Sequence, residues 1–196
     1  LIPMSKIAGK LAVQKGMQFL EYSAKGKGVL LSAISEEKNS KVTVIGCGEV
    51  GRASIHKSIQ IGASVTAIDV NENTLKDLKN QYGENISTFV NGTEEATKAV
   101  RLADLVIGSV LLPGRKPPIV ISEEDINKME KGSVIIDVAI DQGGCVEGVK
   151  PNTHSEPFEI RNGVIVSAIA NLPGAVPRTS SIELSTNLQK YVGNLL

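Results

Sequence analysis

The amino-acid sequence predicts an α/β protein with a doubly wound parallel sheet and a connecting helix at each end. From Lys41 onward, strand-like apolar runs alternate with helical patterns every 20 to 28 residues. The first apolar run leads into a glycine-rich turn, and Asp69 closes the second run. This alternation is typical of parallel strands joined by right-handed helical crossovers.

The glycine-rich turn within residues 41–51 has the pattern of a Rossmann-type dinucleotide-binding unit. Gly46 permits a tight turn, Gly48 lets the backbone approach a pyrophosphate, and Gly51 lets the next helix pack close to the strand. The helix N-terminus offers N–H groups to the phosphates. Asp69, 18 residues after Gly51, can accept hydrogen bonds from an adenosine ribose and would repel a 2′-phosphate. The pattern therefore predicts NAD rather than NADP.

The composition argues against several classes of function. The 21 basic and 21 acidic residues balance, and aromatic residues make up 3% of the chain, so nucleic-acid and membrane binding are not expected. The two cysteines, Cys47 and Cys145, have neither disulfide-framework nor metal-site spacing. We therefore expect no metal site and a cytoplasmic protein.

The elements are predicted in chain order. A helix is expected to start after an N-cap at Ser5, and residues 1–24 are interpreted as a connecting helix from an absent N-terminal domain. Residues 25–40 are predicted to be a loop with a short β piece at 29–31. The Rossmann-type domain is predicted over residues 25–177. Its predicted strands are 42–46, 64–69, 86–90, 104–109 and 133–138, and its predicted helices are 50–61, 72–81, 93–101 and 122–130.

The last part of the chain departs from this alternation. An Asn-Gly turn at 162–163 predicts an antiparallel pair of 158–160 with 164–168. Residues 178–196 are interpreted as a helix returning toward the missing domain, with its pattern running from Thr179 to the end. Neither terminal helix has an obvious surface to pack on within this chain, so both are expected to face other chain segments.

Three loops follow strand ends, where sheets of this kind bind ligands: 109–118, 137–144 and 168–178. Their sequences SVLLPGRKPP, DVAIDQGG and ANLPGAVPRTS, with the opening PMSKIAGKLAVQKGMQFLE, resemble the NAD-binding domain of alanine dehydrogenases. That family also includes proton-translocating nicotinamide nucleotide transhydrogenases. The resemblance covers essentially the whole chain. It implies oxidative deamination of L-alanine to pyruvate and ammonium, with hydride transfer to NAD and hydrolysis of an iminium.

The resemblance also implies a set of site residues. Asp141 matches the family's active-site aspartate beside the nicotinamide, and Asp69 would hold the adenosine ribose. Ser5 would touch the pyrophosphate, whereas Val110 and Leu111 would approach the cofactor by backbone. The remaining implied cofactor contacts are Gly46, Gly48, Glu49, Val50 and Gly51 in the turn, and Val138, Ala139, Ile140, Ile169, Ala170, Asn171 and Leu172 beside the nicotinamide.

Four residues depart from the family pattern. Glu49 places an acid near the expected pyrophosphate, which is unfavourable unless it faces solvent. Thr74 replaces a basic residue common near the adenosine, Asn91 replaces a serine, and Leu172 stands where methionine is usual. These changes are expected to weaken NAD binding without abolishing the fold.

The resemblance implies that the catalytic histidine and the substrate-binding lysine and arginine lie in an N-terminal half that this chain lacks. His56 and His154 match neither motif and are expected to be surface residues. The intact enzyme would act on L-alanine and pyruvate as a homo-oligomer. Two alternatives stay open: a transhydrogenase-like NAD(H)-binding component, and a non-catalytic, stand-alone nucleotide-binding module.

Overall fold

The computed structural model describes residues 2–32, 34, 40–112 and 114–192, with only the backbone for residues 190–192. The strands are β1 (Lys41–Ile45), β2 (Ser64–Asp69), β3 (Ile86–Val90), β4 (Leu105–Gly108), β5 (Val134–Asp137), β6 (Glu159–Arg161) and β7 (Val164–Ser167). The α-helices are α1 (Ile2–Phe19), α2 (Glu49–Gln60), α3 (Glu72–Tyr82), α4 (Glu94–Arg101), α5 (Glu123–Lys128) and α6 (Pro177–Val192).

The strands form one sheet in the order β3-β2-β1-β4-β5-β7-β6. The pairs are parallel except for the antiparallel β6–β7 pair. The order reverses between β1 and β4, which makes their carboxyl ends the topological switch point of the sheet. The predicted fold class is confirmed, and the predicted helices and strands between Lys41 and Asp137 differ from the observed ones mainly at their ends.

Helices cover both faces of the sheet because the central strands are apolar on both sides. In β4, Leu105 and Ile107 pack in the cluster that contains α1, α2 and α3 side chains. Val106, between them, packs with side chains of α4 and α5 on the opposite face. The period of two along the strand thus divides the core into two layers.

The predicted hairpin is present as β6 and β7. Asn162 and Gly163 connect the strands, with φ of 47° and 84°. Both angles are left-handed, as a two-residue turn of this twist requires.

Two local predictions near the N-terminus are wrong. α1 begins at Ile2, so Ser5 lies inside the helix and is not its N-cap; Pro3 suits the first turn, where its missing N–H costs nothing. Residues 29–31 form no strand; the Leu30 carbonyl accepts a hydrogen bond from Ser40 Oγ at 2.8 Å. Residues 33 and 35–39 of the predicted loop and 193–196 of the predicted last helix lie outside the described residues.

The expectation that the opening helix has no surface to pack on within this chain is also wrong. α1 packs against α2, and Ala12 and Val13 are fully buried. A Cβ on Gly9 would lie 2.2 Å from the Val50 carbonyl oxygen, and Ser54 Oγ donates to the Gly9 carbonyl at 2.9 Å. The absence of a side chain at Gly9 therefore lets the two helices approach closely.

α6 differs from α1 in its burial. It lies beside α1, yet Ile182 is 57% exposed and Leu188 is 52% exposed. The apolar stripe predicted for this helix is therefore mostly in contact with solvent.

The packing of α1 predicts that Gly9→Ala lowers the free energy of unfolding by about 1–3 kcal/mol, because the new methyl group meets the α2 backbone. Lys10→Ala, on the exposed side of the same helix, serves as the control and should change it by less than about 0.5 kcal/mol. Urea unfolding followed by circular dichroism measures both. A Gly9→Ala protein as stable as the wild type would contradict the close α1–α2 packing.

Candidate functional site

Two cavities of about 350 Å³ each lie at the carboxyl edge of the sheet. Both are lined by Ser109, Val110 and Leu111, the residues that follow β4. The shared wall places the two cavities side by side at the switch point between β1 and β4, where open α/β sheets bind ligands.

The glycine turn borders the first cavity, and its three glycines differ in surroundings. Gly46 has a φ of 87°, and a Cβ there would lie 2.8 Å from the Ser109 backbone. A Cβ on Gly51 would lie 2.0 Å from the Gly46 carbonyl oxygen. Gly48 has nothing within 4 Å of its Cβ position. Two of the glycines thus permit the packing of strand, turn and helix, and Gly48 leaves its backbone open to a ligand.

The N-terminus of α2 has no side-chain cap. Its N-cap residue is Gly48, whereas Asn71, Thr93 and Ser122 cap α3, α4 and α5 with side-chain oxygens. The first N–H groups of a helix lack partners within the helix and carry the positive end of its dipole. The start of α2 therefore suits an anionic group such as a phosphate.

Asp69 lies at the end of β2 and lines the first cavity. Its Oδ2 accepts a hydrogen bond from the Cys47 N–H (2.6 Å), and its Oδ1 accepts one from the Asn71 N–H (2.8 Å). The carboxylate thus fixes the glycine turn while remaining partly exposed. Burial, assisted by the charge of Asp69, raises the pKa of the Cys47 thiol to about 12, so this cysteine stays neutral within the turn.

The second cavity is walled by α1 and the loops after β5 and β7. Asp141 lines this cavity and is exposed. Its Oδ1 accepts a hydrogen bond from the Asn171 N–H at 3.1 Å, and Asn171 adopts a left-handed φ of 52°. This hydrogen bond joins the loop after β5 to the loop after β7 at the edge of the cavity.

The structure brings together most of the predicted site residues. The first cavity is lined by Gly46, Gly48, Asp69, Val110 and Leu111, and the second by Ser5, Val50, Val110, Leu111, Val138, Ala139, Asp141 and Asn171. Thr74 and Asn91, two departures from the family pattern, also line the first.

Six predicted contacts lie outside both linings: Glu49, Gly51, Ile140, Ile169, Ala170 and Leu172. Ile140, Ile169 and Leu172 are buried in the protein interior, because the apolar side chains of these loops pack inward. Glu49 is exposed in the first turn of α2.

Ser109 and Asp137 are site elements that the sequence reasoning missed. Ser109 is buried, and its Oγ donates to the Gly46 carbonyl at 2.7 Å. Asp137 is fully buried at the end of β5. The available signal for Asp137 was the same as for Asp69, an acid that closes an apolar strand.

Comparison with known proteins identifies the family of this chain. Residues 12–196 match the family described as "Alanine dehydrogenase/PNT, C-terminal domain". The chain belongs to this family. It is 46% identical over 192 residues to alanine dehydrogenase of Bacillus subtilis (strain 168), covering 97% of this chain and 51% of that protein. It is 43% identical to alanine dehydrogenase of Methanococcus maripaludis, and the alignment covers 97% of this chain and 52% of that protein. The chain thus spans about half the length of these relatives.

One solved structure agrees with this alanine dehydrogenase/PNT assignment, and a second shares the fold. An L-alanine dehydrogenase superposes with a TM-score of 0.93 at 41% identity, and the match covers 98% of this chain and 53% of the dehydrogenase chain. A transhydrogenase from Sinorhizobium meliloti superposes with a TM-score of 0.81 at 23% identity, and the match covers 100% of this chain and 55% of the transhydrogenase chain. At that identity the second likeness shows the fold alone.

The predicted family is therefore confirmed, and NAD is confirmed as the cofactor of the alanine dehydrogenase/PNT C-terminal domain. The residues present fit a dinucleotide, since an uncapped helix N-terminus and an open glycine backbone stand between two adjoining cavities. Within the described part of the chain, no helix combines the length and apolarity needed to cross a bilayer.

The turn geometry separates the roles of two glycines. Gly51→Ala should lower the free energy of unfolding by about 1–3 kcal/mol, because its methyl group collides with the Gly46 carbonyl. Gly48→Ala, which adds the same methyl group where nothing lies within 4 Å, should change it by less than about 0.5 kcal/mol. It should nevertheless weaken NADH binding, since the absence of a side chain at this glycine is what lets the backbone approach a pyrophosphate closely. Thermal unfolding and calorimetric titration measure the two effects; equal destabilisation by both substitutions would contradict the assigned roles.

Proposed function

We propose that the chain is the NAD(H)-binding part of an L-alanine dehydrogenase, which oxidatively deaminates L-alanine to pyruvate and ammonium. The observation that carries the proposal is the pair of cavities joined along Ser109, Val110 and Leu111. The glycine turn and Asp69 stand on one side of this wall, and Asp141 stands on the other. Relatives that align with nearly the whole chain are named alanine dehydrogenases, which supports the choice of substrate.

The first cavity is proposed to hold the adenosine half of the cofactor. The N-terminus of α2 is proposed to bind the pyrophosphate. The Asp69 carboxylate, held by two backbone N–H groups, would accept hydrogen bonds from the ribose hydroxyls. A phosphate on the 2′ oxygen would bring like charges together, at a cost of about 4 kcal/mol for unit charges 4 Å apart near a protein surface. Asp69 thus selects NAD over NADP.

The second cavity is proposed to hold the nicotinamide beside Val138 and Ala139. NAD bound there would supply the hydride acceptor for oxidation of the α-carbon of alanine. Asp141 is the proposed catalytic residue of this chain. Among the described residues, Asn171 supplies the one hydrogen bond that this carboxylate accepts, so its second oxygen remains available to a bound substrate. Holding both reactants at fixed geometry is the main contribution of such a platform.

Division of the chain into a connecting helix (1–24), a nucleotide-binding domain (25–177) and a returning helix (178–196) remains a prediction. A homo-oligomer is part of the proposal, and the exposed Ile182, Leu184 and Leu188 of α6 support it because burial of these side chains would be favourable. A cytoplasmic location is also proposed. Both cysteines are buried and unpaired, as is usual in a reducing compartment.

Cofactor choice is tested by calorimetric titration with NADH and NADPH. The wild-type chain should bind NADH more tightly, and Asp69→Asn should reduce the preference by about tenfold, which corresponds to about 1.4 kcal/mol. The affinities for both cofactors should also fall, because the amide NH₂ group would face one of the two backbone N–H groups from which Asp69 accepts hydrogen bonds; the ratio of the two affinities is therefore the quantity to compare. Asp77→Asn, which removes the same charge from the exposed side of α3, is the matched control and should leave the preference unchanged. Equal affinities of the wild type for the two cofactors would contradict the role of Asp69.

A second experiment tests whether this chain alone can oxidise alanine. The chain is mixed with L-alanine and NAD⁺, and the absorbance of NADH is followed. No NADH should form, because the proposed substrate-binding residues belong to the part of the relatives that this chain does not align with. Sustained turnover would show that the residues of this chain suffice for the reaction and would refute this expectation. Absence of NADH binding in the titration above would instead refute the cofactor-binding role itself.

A further inference from the structure

Asp137, the last residue of β5, is a fully buried carboxylate that lies outside the linings of both cavities. The ion pairs formed among the described residues do not include it. Burial of a charge without a cation is costly unless hydrogen bonds replace the lost hydration. Burial raises the pKa of the Asp137 carboxyl, and the hydrogen bonds that it accepts oppose the rise.

Four donors converge on this carboxylate. Oδ1 accepts from the Ala139 N–H (2.9 Å), and the Cys145 thiol lies 3.4 Å from the same oxygen. Oδ2 accepts from the N–H groups of Cys145 (2.8 Å) and Val146 (3.0 Å). A single side chain thus holds both ends of the loop 139–145, and Asp141 lies inside that loop.

The loop itself is tightly built. The Gly143 N–H donates to the Ile140 carbonyl at 2.9 Å, and the Gly144 N–H donates to the Ala139 carbonyl at 3.1 Å. Gly144 has a φ of 76°, and a Cβ there would lie 2.9 Å from Asp137 Oδ2. A Cβ there would also lie 2.5 Å from Val149 Cγ1, so the carboxylate and the Val149 side chain together occupy the space beside Gly144.

The far end of the loop is anchored to a neighbouring segment. The Cys145 carbonyl accepts from the Val120 N–H at 2.8 Å, and the Glu147 N–H donates to the Ile121 carbonyl at 2.9 Å. Ile121 and Cys145 are fully buried. Asp137 thus connects the exposed loop that carries Asp141 to a buried and well-connected part of the fold.

We propose that Asp137 is a positioning residue, whose buried carboxylate sets the conformation of loop 139–145 and thereby the placement of Asp141 and the nicotinamide wall. The identity of the ligand rests on the proposed function, whereas the ordering of the loop does not. An amide cannot replace the carboxylate, because its NH₂ group would face N–H donors at one of the two oxygen positions. Asp137→Asn should therefore loosen the loop while β5 remains paired on both sides.

The test compares NADH and ADP-ribose binding in the wild type and Asp137→Asn by calorimetry, together with hydrogen–deuterium exchange of residues 139–146. NADH affinity should fall by about tenfold or more, ADP-ribose affinity by less than about threefold, and loop amides should exchange at least about tenfold faster. Asp104→Asn removes a carboxylate beside Lys27 at the opposite edge of the sheet and should not alter the ratio of the two affinities.

Two outcomes would overturn the positioning role: unchanged loop exchange in Asp137→Asn, or equal losses of NADH and ADP-ribose affinity. Failure of the wild type to bind NADH would refute the proposed function, while the exchange comparison would still decide the role of Asp137. If Asp137→Asn does not fold, Cys145→Ala and Cys145→Ser replace it. Ser retains a donor toward Oδ1, so Ala should accelerate loop exchange more than Ser does, and equal rates would refute the proposal.

Discussion

The close meeting of β1 and β4 at their carboxyl ends is the constraint on which the rest of the site depends. The Ser109 N–H donates to the Ile45 carbonyl at 2.8 Å, and its hydroxyl donates to the Gly46 carbonyl at 2.7 Å. Such an approach leaves no room for a Cβ on Gly46. Because the chain turns here, α2 starts next to the switch point and Ser109 becomes the wall between the two cavities. One junction therefore determines where a dinucleotide can lie.

Two aspartates at strand ends show how burial decides the role of the same residue type. Asp69 and Asp137 both close parallel strands, and both accept backbone N–H groups of the turn beside them. Asp69 stays partly exposed at a cavity, so its carboxylate can both hold the turn and meet a ligand. Asp137 has no exposed surface, so its hydrogen-bonding capacity is directed to the protein. An acid at the carboxyl end of a strand is thus a signal with two structural outcomes.

Features that depend on local sequence could be predicted for this protein, whereas features that depend on which segments meet in space could not. The alternation of apolar strands and helices predicted the sheet, since a period of two or of 3.6 depends on local sequence alone. The glycine turn and Asp69 were predictable because their spacing is imposed by the ligand. Ser109 and Asp137 were not, since their roles depend on which chain segments meet in space. The packing of α1 was missed for the same reason: Gly9 is informative only when Val50 is known to lie opposite it.

The position of α1 has a consequence for the site. Met4, Ser5 and Ala8 of this helix line the second cavity, although a minimal βαβ unit contains no such element. They reach it because Gly9 lets α1 approach the first turn of α2, where Val50 borders the same cavity. α1 therefore both contributes to the hydrophobic core and forms one wall of the proposed nicotinamide site. Ala8, Ala12 and Val13 of α1 also pack in the same hydrophobic cluster as Cys47 of the glycine turn, so a change that displaced α1 would disturb both sides of the site.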